Sequence, residues 1–189
     1  MKITMKSAAW LSLLPWLALI AMAGCDRTDD PKAPTQFQSD FIKSCVTSIQ
    51  NPSFSWMPPR YADGVCRCAA PKIETQLHQS GFDKDDQHSA TELANVSRIM
   101  TASTIDCAKP VFVQVMTDQS KQQCLSADNA DPRLKALNTE AREQACTCAA
   151  GVYGKNADLG LALQAEKRAE FERQGKEQFS QALTQCGIK

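Results

Sequence analysis

Eight of the chain's nine cysteines fall into two sets with one spacing, and sulfur at that spacing can do one of two things. The first set is Cys45, Cys66, Cys68 and Cys107; the second is Cys124, Cys146, Cys148 and Cys186. Free thiolates in a Cys-x-Cys pair could capture a soft metal such as Cu(I) or cycle as a redox dithiol. Oxidised, the same residues would be structural disulfides. Repetition favours the second. The offsets between the sets are 79, 80, 80 and 79 residues, so every cysteine has a counterpart in register. Neighbours agree: Cys66-Arg67-Cys68-Ala69-Ala70 faces Cys146-Thr147-Cys148-Ala149-Ala150, and Pro52 falls on Pro132. A duplicated four-cysteine unit follows, and catalytic dithiols usually break such symmetry. The chain holds only two histidines, His78 and His88, and no Met cluster beside the thiols, which argues against a metal.

The compartment decides what state those thiols take. Lys2 and Lys6 precede an uncharged run, Ala8–Ala23, rich in Leu, Ala and Trp. This is the pattern of a signal peptide, and it is short for a membrane span, which needs about 20 apolar residues. It ends in Met22-Ala23-Gly24-Cys25, which resembles the lipobox of bacterial lipoproteins, with Met where Leu is usual. The resemblance implies cleavage before Cys25, lipidation of Cys25, and anchoring of the chain to a lipid bilayer through N-terminal acyl groups. It places the protein on the periplasmic side of a bacterial membrane, inner or outer. Asp26 resembles the inner-membrane retention residue of enteric bacteria, and sorting rules differ among bacteria. A polar segment, Asp26–Thr35, follows as a tether. In an oxidising compartment an even set of eight cysteines predicts disulfides.

The expected organisation is a signal peptide over 1–24, a lipidated tether over 25–36, and two helical repeats over 37–109 and 110–189. Each repeat reads as three helices. Phe37, Phe41, Cys45 and Ile49 recur every four residues with Ile42 and Val46 beside them, one helical face. Asn51-Pro52 ends that helix. A second opens at Pro59 and carries Ala62, Cys66, Ala69 and Ala70; Pro71 should kink or end it, and Gly151 weakens the second copy at the matching place. A third runs over about Asp86–Lys109 with Leu93, Val96, Ile99 and Met100 inward. The second copy spans about Pro110–Asp128, Thr139–Val152 and Asp158–Gln185, with polar Ala165–Gln178 largely in water. Val111–Val115 is the one strand-like run, too little for a sheet. The fold class is all-α: two tandem three-helix repeats, each braced by two disulfides.

Residues i and i+2 of a helix point about 200° apart. The two thiols of each Cys-x-Cys therefore cannot easily join each other, and each reaches a different neighbouring helix. Two pairings remain: Cys45 with Cys66 and Cys68 with Cys107, or Cys45 with Cys68 and Cys66 with Cys107. Spacing does not choose. With 6% aromatic residues the core is thin, and each bridge should stabilise by roughly 3 kcal/mol.

Function is less legible. Without Lys2 and Lys6, 19 basic residues face 21 acidic ones, a net charge of −2 with no basic patch, so nucleic acid is not an expected partner. His78 and His88 flank a loop with Asp83, Asp85 and Asp86, whose spacing fits no calcium loop; no metal and no cofactor are expected. Gly151–Lys155 lacks the first glycine, the Ser or Thr and the strand of a phosphate loop. No catalytic motif is present, so no catalytic residue is assigned. Between the repeats, Phe54–Pro59 aligns with Leu134–Thr139, so Trp56 and Met57 stand against Ala136 and Leu137. Bulky side chains on a proline-stiffened loop make Phe54, Trp56 and Met57 a possible partner contact, or simply a cover for their own core. The expected role is a non-catalytic binding or assembly accessory of the envelope, pilotin-like, with an envelope protein as partner. The competing classes are a thiol-based copper or redox protein, and a periplasmic enzyme or enzyme inhibitor.

Overall fold

The computed structural model describes residues 33–49, 54–82, 89–126 and 131–188. The chain divides into Met1–Ala33 and Pro34–Lys189, and the architecture concerns the second. The signal segment, Cys25 and the tether to residue 32 lie outside the described residues, as do Asn51, Pro52, Asp83, Asp85, Asp86 and His88. Among the described residues every regular element is helical, as the cysteine-repeat reading requires.

Helix α1, Gln36–Ser48, starts where the Thr35 hydroxyl accepts the Gln38 amide at 3.1 Å. A 3-10 turn at Pro59–Tyr61 leads into α2, Ala62–Gln79. This helix buries Ala62, Val65, Cys66, Ala69, Ala70, Ile73 and Leu77, the i, i+3, i+4 stripe of a helix held on one side. Gly81, at φ +70°, stops it. The Phe82 amide donates to the Leu77 carbonyl and the Gly81 amide to the His78 carbonyl, both at 3.1 Å, a Schellman closure.

Helix α3, Ala90–Leu125, departs most from expectation. Ser89 and Glu92 form a reciprocal capping box at its start, and it then runs 36 residues, about 54 Å. It contains Val111–Val115 and passes straight through Pro110, where the repeat boundary and a helix end were expected. Two observations explain this. Pro110 and Asp106, whose carbonyl the proline cannot serve, are both exposed, so water can satisfy the orphan. The last helix, in the corresponding place, ends on Gly187 at φ +85°, with the Ile188 amide donating to the Leu183 carbonyl. In the first repeat that register position is Ala108, buried and helical. The terminator is absent, so the helix continues. Pro71 likewise neither ends nor interrupts α2, and Arg67 and Pro71 both face solvent.

The second repeat continues with a short α4, Pro132–Lys135, then α5, Thr139–Asn156, capped by the Asn138 side chain on the Ala141 amide. Helix α5 runs through Gly151 and four residues beyond the expected end. A single turn, α6 at Leu159–Ala162, and a 3-10 turn at Ala165–Lys167 precede α7, Arg168–Gln185. What the sequence suggested as one helix from Asp158 is therefore three pieces. The polar stretch over 165–178 does lie largely in water.

Helix α3 belongs to both repeats. Its N-terminal half buries Ile99, Ser103 and Cys107; its C-terminal half buries Phe112, Val115 and Met116, about half a turn round the axis. One face packs on α2 and the other on α5, so a single rod joins two three-helix units. The buried residues form one continuous core from Cys45 to Leu183.

Candidate functional site

The eight sulfurs are where sequence reasoning placed chemistry. They form four disulfides: Cys45–Cys66, Cys68–Cys107, Cys124–Cys146 and Cys148–Cys186. Cα separations of 5.7 to 6.1 Å suit unforced bridges. The middle helix of each repeat is clamped to the helix before it by the first cysteine of its Cys-x-Cys, and to the helix after by the second. Both repeats choose the same pairing. Cys66 and Cys146 are fully buried whereas Cys68 and Cys148 are exposed, so each repeat has an inner bridge and a peripheral one. All eight cysteines of the two sets are thereby paired in bridges that join neighbouring helices. Among the described residues no group of three His, Cys, Asp or Glu gathers as a metal cage, and His78 is exposed.

Phe54, Trp56 and Met57 are not an open contact surface. Trp56 is 7% exposed and Met57 5%, with Phe54 half-buried beside them. The Trp56 ring stands edge-on to Phe112 at 4.9 Å, and Phe112 faces Phe171 at 6.3 Å. The Arg168 guanidinium donates to the Ser55 hydroxyl beneath them. The loop of the first repeat is thus wedged against α3 and α7 of the second. Its partner is the protein's own second half. The register explains the divergence between copies. Positions corresponding to Phe112 and Phe171 are Ala33 and Glu92 in the first repeat, both exposed, and Trp56 corresponds to exposed Ala136. The three rings meet at the junction between repeats, and the positions that correspond to them away from it are small or polar.

Polar fixtures hold the outer loops. Arg133 donates two hydrogen bonds to the Asp131 carboxylate, at 3.0 and 2.7 Å, and reaches Ser180 and Thr184 on α7. These hydrogen bonds hold the Asp131 carboxyl below the usual carboxylate range. The Lys72–Asp106 pair joins α2 to α3, and its hydrogen bond lowers the Asp106 carboxyl. Burial pushes the Tyr153 phenol up.

One surface with an unfilled apolar concavity lies at the start of the described chain. Gln36, Phe37, Asp40, Phe41 and Ser44 of α1 face Met100 of α3 across a shallow open groove of about 330 Å³. Phe37 and Phe41 stack at 6.4 Å and both remain partly exposed. The face of α3 that carries Met100 continues through Val96 to Leu93, at i−4 and i−7. Leu93 was expected to point inward and is 54% exposed. The beginning of α1 is fixed in place: the Thr35 hydroxyl and the Gln38 side-chain Nε2 donate to the two Glu74 carboxylate oxygens at 2.7 and 2.6 Å.

Repeat comparison could have revealed this surface from the sequence. Phe41 corresponds to Ser120 and Leu93 to Glu172. At these two positions the second copy carries polar side chains, whereas Met116 and Phe179 keep apolar character where the first has Phe37 and Met100. Comparison with known proteins finds no matching family, curated protein or solved structure.

Proposed function

We propose that this chain is a lipid-anchored periplasmic lipoprotein that serves as a non-catalytic binding or assembly accessory of the cell envelope. The observation that carries the reading is the commitment of all eight repeat cysteines to disulfides, which suits an oxidising compartment outside the cytosol. The lipobox-like Met22-Ala23-Gly24-Cys25 supports anchoring at Cys25. A helical scaffold braced at four points, with an apolar groove on one side, supports holding a surface in place rather than turning over a substrate.

Two measurements test it. Intact mass of the mature protein should show cleavage before Cys25, an acylated Cys25, and no free thiol among the other eight cysteines. Cross-linking through exposed Lys155 and Lys176 in intact envelopes should join the chain to a defined envelope protein. An unmodified Cys25, or free thiols in the folded protein, overturns the anchored reading; an anchored chain that captures no protein overturns the accessory role.

A further inference from the structure

We propose that the groove of Phe37, Phe41 and Met100, continued along α3 by Val96 and Leu93, is the face that rests on the lipid bilayer beside the protein's own anchor. The inference rests on the lipoprotein reading above and names the partner of this surface. Three observations carry it.

The first is position. Ten residues separate Cys25 from Gln36, so the chain between them can reach no further than about 40 Å. The chain enters the folded unit at Thr35, which Glu74 holds to α2, and Gln36 and Phe37 already line the groove. The folded surface next to the entry point is the part that a short tether from the membrane keeps closest to it. Cys45–Cys66 and Cys68–Cys107 bring α1 and α3 to one level of α2; Phe37 lies 8 residues before Cys45 and Leu93 lies 14 before Cys107, so Leu93 stands nearer the start of α3 than the level of Phe37. The apolar strip thus runs on past the start of α1.

The second is the repeat itself. Glu172 occupies the place of Leu93 in the second copy and Ser120 that of Phe41, and Glu172 is exposed. Folding of this unit does not demand Leu at the place of Leu93, which is 54% exposed, so its exposure has another cause.

The third is magnitude. Untethered, so small a patch would bind a bilayer weakly, since even one myristoyl chain binds only marginally. Tethering removes that requirement. An effective concentration in the millimolar range converts a weak apolar contact into a populated docked state. Asp40 and Gln36, hydrogen-bonded to each other at 3.0 Å, rim the groove and would remain at headgroup depth.

The test places a benzophenone amino acid at position 93 or, as the repeat-matched control, at position 172, in the full chain processed by its own host envelope. Both positions are exposed, so folding is preserved. The mature protein is irradiated in intact envelopes and again in vesicles of phosphatidylethanolamine and phosphatidylglycerol, and adduct masses are read. Expected are phospholipid adducts at 93 in at least roughly fivefold excess over 172, on a chain whose Cys25 carries acyl groups. Acylated Cys25 with equal or no lipid adducts at 93, or with adducts at 93 to another protein or to a second copy, overturns this inference and leaves the lipoprotein reading standing. An unacylated Cys25 overturns both.

Discussion

Gly151 and Gly154 lie one turn apart on α5, yet alanine should have opposite effects at the two. A Cβ at Gly151 meets nothing within 4 Å, so Gly151→Ala removes backbone freedom from the unfolded chain and should stabilise by about 0.5–1 kcal/mol. A Cβ at Gly154 would collide with the Thr117 hydroxyl and come within 2.9 Å of the Val113 carbonyl oxygen. A backbone atom of α3 cannot swing away, so Gly154→Ala should destabilise by about 1–3 kcal/mol as α5 and α3 are forced apart. Urea midpoints moving in the same direction for both variants would contradict the close approach of these helices. Trp56 makes a larger claim. Buried against Phe112, it should lose about 3–5 kcal/mol when replaced by Ala, seen as an early melt; an unchanged melt would return it to the surface. That residue was the hardest to read in advance, because size and aromaticity suit a hot spot and a wedge equally. What distinguishes them is whether Phe112 and Phe171 lie underneath, and those rings come from distant parts of the chain.

At the scale of elements, the helices were legible where cysteine register and apolar spacing agreed, and α1, α2 and α5 appear where those signals placed them. The boundaries failed at proline. Proline's missing amide is damaging only where water cannot serve the stranded carbonyl, and Pro71 and Pro110 both stand on solvent-facing sides. The true stop signals were Gly81 and Gly187 at positive φ. The disulfide pairing was open for a different reason: 200° between i and i+2 says that the two sulfurs part, but not on which side each neighbouring helix passes. Loop 131–138 shows how a short element is held without a core of its own. Asp131 caps α4 and clasps Arg133, which ties α4 to α7. Because the fold lowers the Asp131 carboxyl below its ordinary range, the charged form is the stabilising one. Its contribution is complete above the unfolded value near 3.9 and is lost as pH falls through the lowered value in the fold. Asp131→Asn should therefore destabilise by about 1 kcal/mol at pH 7. The gap should narrow as the pH falls below the unfolded value and through the lowered one, where the parent loses the same charge. Parallel melting curves that keep a constant separation from pH 7 to pH 2 would show that the carboxylate's charge plays no part.

For the whole molecule, the two cysteine-matched halves are not two independent domains. Helix α3 supplies the third helix of one repeat and the first of the other, and the Trp56–Phe112–Phe171 rings close the junction from the opposite direction. Neither repeat can unfold without stripping half of α3 or exposing those rings. Cooperative unfolding of both follows, and the protein carries its own reporter: after Cys25, Trp56 is the one tryptophan. It sits in the first repeat and looks into the second. Replacing Cys148 and Cys186 with Ser removes a bridge whose ends are 38 residues apart and which lies wholly within the second repeat. Chain entropy sets the loss at about 4 kcal/mol. If the halves are coupled as the shared rod requires, Trp56 emission and far-UV ellipticity should move to the same lower midpoint, in one transition. If the repeats are merely neighbours, ellipticity will drop in two steps and α2 will outlast α5. The matching change at Cys68 and Cys107, in the other half, should lower the same single midpoint by a similar amount. Agreement of the two double variants is the strongest form of the prediction, because it makes stability a property of the joined pair and leaves the groove of Phe37, Phe41 and Met100 rigid only while both halves stand.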